Sequence, residues 1–201
     1  SDSLAIGTAA AERMRIDSSG NVGIGTSSVN RKLEISGNNN SGAKANYIRI
    51  TDTDTSATAN NQQGGIEFYT SDSGNANVTA SIENLYAGSG AGSNLTFNTA
   101  PNGASGVSEA MRIDFNGNVG IGTASPQSSQ KLHIANTSGH CEMTLQSGDS
   151  STAALLFGDA TDFSRGKIAY TNSDDNMAFQ VNNLQEAMRI DSSGNLLVGT
   201  T

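Results

Sequence analysis

Few side chains in this sequence are spaced for chemistry. The histidines are His133 and His140, and the one cysteine is Cys141. A zinc site needs about four N or S ligands at suitable spacing, which these three do not supply. His140 and Cys141 are adjacent, so on a strand they point to opposite faces. His133 lies between Leu132 and Ile134 and reads as a solvent-facing strand residue. Cys141 reads as a buried or half-buried thiol. Asp52-Thr53-Asp54-Thr55-Ser56 opens like a calcium loop, but Ala57 stands where Gly is needed and Gln63 where Glu is needed. Asp159, Asp162, Asp174 and Asp175 read as turn residues. Glycoside hydrolysis needs two carboxylates across a saccharide cleft. Glu67, Glu83 and Glu142 are available, but Trp, a usual platform for sugar rings, is absent. Gly23-Ile24-Gly25 lacks the lysine and the following helix of a phosphate loop. The sequons at Asn39, Asn77, Asn94 and Asn136 carry little information in so polar a chain. The expectation is no catalytic residue, no cofactor and no metal.

The elements that would position any site are short. Gly, Asn, Ser and Thr make up 90 of the 201 residues, charged residues 15% and aromatic residues 5%. An average globular domain is about 25% charged. Apolar residues recur in short alternating runs, which argues for an ordered chain with a thin core rather than a disordered one. The net charge is −8. Phosphate backbones are bound by clustered Lys and Arg, and the 11 here are scattered, so nucleic acid is not an expected partner. No apolar run approaches the ~20 residues that span a bilayer, so membrane insertion is not expected. A single cysteine excludes an intrachain disulfide. The chain opens on Ser1 and stops at Thr201 within a repeat, which reads as a segment of a longer chain.

One motif recurs. Glu12-Arg13-Met14-Arg15-Ile16-Asp17-Ser18-Ser19-Gly20-Asn21-Val22-Gly23-Ile24-Gly25-Thr26 returns from Glu109 to Thr123 and again from Glu186 to Thr200, spacings of 97 and 77 residues. Leu4-Ala5-Ile6-Gly7-Thr8 resembles its second half. Met14 and Ile16 alternate with Arg13 and Arg15, the period of a half-buried strand. Asp17-Ser18-Ser19-Gly20 suits a type I turn with a left-handed glycine, which closes a short hairpin with a bulge. Val22 and Ile24 return on the second strand, so Met14, Ile16, Val22 and Ile24 share an apolar face. Gly23 and Gly25 leave room behind it for another backbone or for Arg15. The residues expected to matter structurally are Met14, Ile16, Gly20, Val22 and Ile24, with Met111, Ile113, Gly117, Val119 and Ile121, and Met188, Ile190, Gly194, Leu196 and Val198. In the third copy Leu197 replaces the glycine.

Echoes follow each marker hairpin. Lys32-Leu33-Glu34-Ile35 matches Lys131-Leu132-His133-Ile134, Ile66-Glu67-Phe68 resembles Leu155-Leu156-Phe157, and Leu95-Thr96-Phe97 resembles Met177-Ala178-Phe179. The expected fold class is all-β: short strands and hairpins in a repetitive fibrous structure. The repeats divide it into 1–8, the end of a preceding repeat; 9–107, a β-module starting with a marker hairpin; 108–184, a second module; and 185–201, the hairpin of a third, truncated one. The first module's surplus lies in polar loops, Asn38–Gly42, Thr51–Gly65 and Ala87–Gly106, of the kind carried outside a repeat array. Isolated hairpins are marginal in water and open edges invite pairing. Wrapping identical chains about an axis solves both problems and closes by cyclic symmetry.

The run Met-Arg-Ile-Asp-x-x-Gly-Asn-Val-Gly-Ile-Gly-Thr, with Ala124-Ser125-Pro126 after the second copy, resembles repeats of bacteriophage tail-fibre and tailspike proteins, over about 45 of the 201 residues. In that family such repeats often precede a self-cleaving intramolecular chaperone, which is not visible in this sequence. The resemblance implies an intertwined homotrimeric fibre of the virion tail, extracellular, whose partners are itself, other tail-fibre or baseplate proteins and a glycan or protein of the bacterial surface. Two alternatives share the pattern: a glycan-binding or glycan-cleaving tailspike segment, and a bacterial surface or injection-system fibre.

Overall fold

Alternation of apolar and small polar residues, broken every few residues by Gly, Asn, Asp and Ser, leaves nowhere for a helix and produces strands. The computed structural model describes residues 2–37, 46–56, 58–72, 77–88, 90, 92–103 and 106–199. The surplus loop Asn38–Gly42, the sequon Asn39, Ala57 and Thr200 lie outside them. The chain is all-β, with no helix among the described residues. It divides into two units, Ser1–Ala135 and Asn136–Thr201.

The first unit holds two sheets. In the first, β1 (Leu4–Thr8), β2 (Ala11–Ile16), β3 (Val22–Ile24) and β4 (Leu33–Ile35) lie in sequence order. The second runs β5 (Gln62–Thr70), β6 (Asn77–Tyr86), β7 (Ser93–Thr99), β8 (Ser108–Ile113), β9 (Val119–Ile121), β10 (Leu132–Ile134). Among the described residues each strand of this unit packs only on its sheet neighbours, so neither sheet covers the other. The second unit is one sheet: β11 (Thr152–Phe157), β12 (Gly166–Thr171), β13 (Asn176–Val181), β14 (Gln185–Ile190), β15 (Leu196–Val198).

All three sheets end alike. An antiparallel strand (β1, β7 or β13) meets the first marker strand (β2, β8 or β14), which turns back into the second (β3, β9 or β15). In the first unit a parallel strand follows, β4 or β10, formed by the Lys-Leu-x-Ile echo. The structure therefore groups each marker hairpin with the strands before it. Leu4–Thr8, read above as the tail of a preceding repeat, occupies in its sheet the place of β7 and β13.

One irregularity recurs. The ladder slips at Ile6/Gly7, Phe97/Asn98 and Phe179/Gln180, leaving Arg13, Ala110 and Ala187 as the extra residue of a β-bulge. The carbonyl of each bulged residue accepts a bond from a glycine beyond the return strand: Gly25, Gly122 and Gly199, at 2.9, 3.0 and 3.0 Å. Those glycines have φ of 75°, 70° and 68°, the left-handed region that glycine takes without strain.

Candidate functional site

The ladder registers assemble apolar rows across each sheet. In the second sheet Ile66, Ile82, Phe97, Met111, Ile121 and Ile134 stand opposite one another in turn. Leu95, Ile113, Val119 and Leu132 form the row beside them. The first sheet repeats both, as Ile6, Met14, Ile24, Ile35 and as Leu4, Ile16, Val22, Leu33. The third does so as Leu155, Ile168, Phe179, Met188, Val198 and as Ala153, Tyr170, Met177, Ile190, Leu196. Met14, Ile16, Val22 and Ile24, and their counterparts in the other copies, thus share one face in each sheet.

These faces are bare. Ile24, Leu33, Ile66, Ile121, Leu155 and Leu196 are all exposed, and among the described residues the buried apolar side chains are only Ala169 and Ala178. Ser81, Thr96, Asn98, Arg112, Asn118 and Asn176 are buried instead. This inverts the usual distribution. The chain exposes 14172 Å², whereas two separate compact bodies of half its mass would together expose about 10,700 Å².

The reverse face of each marker hairpin is polar and tight. In a regular strand residues three apart face opposite ways. The bulge brings Glu12 and Arg15, Glu109 and Arg112, and Glu186 and Arg189 to one side, as bidentate pairs at 2.6–2.8 Å. Each glutamate raises its arginine's pKa, and hydrogen bonding from Arg15 lowers that of Glu12. Arg112, 8% exposed, pairs across the ladder with Gly120, as Arg15 does with Gly23 and Arg189 with Leu197. A methyl on Gly120 would stand 2.7 Å from the Thr123 carbonyl, and one on Gly122 would run into the Ala135 carbonyl. Sequence reasoning missed the bulge and the ion pairs; the signal was the invariant Glu-x-x-Arg spacing.

The turns are built from one carboxylate each. Asp17 accepts the Ser19 and Asn21 N–H groups and the Asn21 amide. Asp114 does the same with Asn116 and Asn118, and Asp191 with Ser193 and Asn195. The N–H of the glycine bonds the Asp carbonyl in each, and Gly20, Gly117 and Gly194 have φ of 73°, 73° and 81°. The hydrogen bond from the Asn21 N–H leads in holding Asp17 below the ordinary carboxylate pKa, and the bond from the Asn195 amide leads for Asp191. At Asp114 burial pulls upward, but the bonds from Asn118 and Asn116 and the nearby Lys131 outweigh it. The echo lysines cap the turns: Lys32 donates to the Ser19 carbonyl, and Lys131 to the Asn116 carbonyl and Asn118 Oδ1, all at 3.0 Å.

The chemical candidates are not brought together. Cys141 is exposed, which corrects the buried or half-buried thiol expected from its type: it lies outside every strand, in a stretch with no sheet to cover it. His133 faces away from Leu132 and Ile134 on β10, but it is half-buried rather than solvent-facing, and its Nδ1 is buried without a partner. Asp52 accepts the Asp54 N–H, and Asp54 accepts the Ser56 N–H and hydroxyl. Among the described residues no cluster of His, Cys, Asp and Glu could hold a metal. Glu67 and Asp52 line a polar hollow with Gln62 and Gln63, while Glu83, on β6, accepts from Ser81 of the same strand at 2.6 Å. Asn94, a sequon residue, is buried and accepts the Phe115 N–H.

Among solved structures, the carboxy-terminal domain of the bacteriophage T5 L-shaped tail fibre with its intramolecular chaperone domain is similar over 81% of this chain and 61% of that one, with a TM-score of 0.44 and 14% identity. The carboxy-terminal domain of the same fibre is similar over 81% and 89%, with a TM-score of 0.39 and 15% identity. The chain thus spans 61% of the length of the first. No family model and no curated protein matches the chain.

Proposed function

We propose that this chain is a structural segment of a phage tail fibre, assembled as a homotrimer through the apolar faces of its sheets. The observation that carries the reading is the repeated bare face. Three sheets present matching rows of Leu, Ile, Val, Met and Phe to solvent. Each face calls for a partner with apolar rows of the same kind, and a copy of this chain carries them. The marker run and its resemblance to tail-fibre repeats supply the virion context, the expected number of three and the expected neighbours, other fibre or baseplate proteins. The role is structural rather than enzymatic. Sedimentation velocity with native mass spectrometry tests it: three chain masses are expected, and a stable monomer overturns the reading.

One observation favours a second role in contacting a glycan or protein of the bacterial surface. Phe163 is 79% exposed on a loop fixed by its own carboxylates. Asp159 accepts from the Thr161 N–H and hydroxyl and the Asp162 N–H, and Asp162 from the Ser164 N–H and hydroxyl. A preorganised aromatic suits recognition. Phe163→Ala should weaken retention of host cells by the immobilised assembly; unchanged retention removes this role.

A further inference from the structure

Two stretches have the pattern of strands but belong to no sheet. Residues 47–54 and 140–148 run without a turn or bend, so the chain there is straight. Within them Ile48, Arg49, Ile50 and Thr51, and likewise Glu142, Met143, Thr144, Leu145 and Gln146, alternate apolar and polar residues, the strand period. All nine are exposed, with Ile48 at 68% and Met143 at 58%. No backbone hydrogen bond involves any of the nine. Exposed backbone with an alternating apolar pattern is an unpaired strand.

Each stretch precedes, and lies beside, an edge that is equally unprotected. Ile50 approaches Gly64 of β5, its Cγ2 2.8 Å from where a Cβ would stand. Met143 and Leu145 line an apolar groove with Ala153 and Leu155 of β11. Yet no ladder joins either pair. β5 is the last strand of its sheet and β11 of its own. Natural edges are blunted by Pro, Lys, bulges or brevity. β5 has nine residues with Glu67 as its one charge and a bulge only at Gln63, near its start, and β11 has six residues with no charge and no bulge.

We propose that Ile48–Thr51 and Glu142–Gln146 are donor strands, each adding to the open edge of β5 or β11 in a neighbouring copy of this chain. The inference rests on the assembly proposed above and names how its subunits are joined. The occupant is a second copy because every copy carries both halves of the joint, twice. Donor and acceptor on different parts of one chain make a head-to-tail contact, which closes into a ring under cyclic symmetry. The added strands extend the ladder with main-chain bonds, the mode of β-augmentation.

The test has two readings on the assembled protein, with its mass measured alongside. Hydrogen exchange should show the amides of the donor strands slowed about tenfold or more relative to an unstructured chain. A benzophenone amino acid at Ile48 or Met143 should, on irradiation, give covalent dimers on a denaturing gel, with the cross-linked peptides mapping to Gln62–Thr70 or Thr152–Phe157. If the protein assembles but the donor amides exchange freely, donation is overturned and the assembly stands. Protection with cross-links confined to single chains overturns donation too, since the stretch then pairs with its own edge. A monomer overturns both proposals.

Discussion

Gly117 and Gly122 flank the same return strand, one in the turn and one bonded to the bulged residue, yet a methyl group would burden them differently. Both have φ near 70°, where an L side chain costs about 1 kcal/mol. At Gly122 the methyl would also run into the Ala135 carbonyl, whereas at Gly117 it meets nothing. Gly122→Ala should therefore destabilise the hairpin well beyond the backbone cost, and Gly117→Ala by about that cost alone. Local exchange protection across β8 and β9 reads each effect, and equal losses would refute the packing argument. The turn carboxylates make a second prediction. Asp17, Asp114 and Asp191 have folded values below the ordinary 3.8. Near that value the unfolded chain binds protons that the folded chain does not, so stability rises with pH. Their contribution is complete above about pH 5 and is lost as pH falls through 3.8 and then through the lower folded values. Melting temperature should drop between pH 5 and pH 2.5, and replacing all three by Asn should flatten that drop. An unchanged acid dependence in the triple variant would show that other groups cause it.

At the scale of the elements, part of each hairpin was legible in the sequence and part was not. Asp at the first turn position and Gly at the fourth fixed the turn and with it the register, because a two-residue side-chain period allows only one apolar pairing. The bulge was hidden: Arg13, Ala110 and Ala187 are not unusual in a strand, and the slip shows only against a partner. Its consequence is the Glu–Arg pair, which sequence spacing alone would place on opposite faces. The second copy is the most enclosed, and removing the carboxylate there with Glu109→Ala strands the 8%-exposed Arg112, a loss of about 1–3 kcal/mol. Glu186→Ala, beside an Arg189 side chain 39% exposed, should cost far less, because solvent screens the pair. A ratio near one in thermal or denaturant unfolding of the two variants would mean that the pairs are not graded by burial. The β1–β2 connection offers the opposite change. Ala9 and Ala10 sit at φ of 51° and 62° in a two-residue turn, where Asn-Gly is the favoured pair. The double change Ala9→Asn with Ala10→Gly should stabilise this hairpin by about 1 kcal/mol, and slower exchange across β1 and β2 would register it.

For the whole molecule, the alternating pattern announced one apolar face per sheet but not what covers it, because the same period serves a sandwich, a barrel and an oligomer. In a closed fold the rows would be buried by another sheet of the same chain; among the described residues of the first unit no such contact forms, and the single sheet of the second unit leaves Leu155, Ile190 and Leu196 exposed. In the assembly proposed above another copy supplies the cover, which makes the face testable by a charge. Ile121 is 39% exposed, so Ile121→Lys alters a single chain little: surface substitutions stay within about 0.5 kcal/mol. In the assembly the same lysine would be buried without a partner, a penalty of several kcal/mol, repeated in every copy by symmetry. Ile121→Lys should keep its strand signal in circular dichroism yet sediment as a monomer, while Ser125→Lys, at an exposed loop position, should assemble normally. If Ile121→Lys assembles with unchanged mass and melting, then the apolar rows do not face the interface, and the copies meet through edges alone.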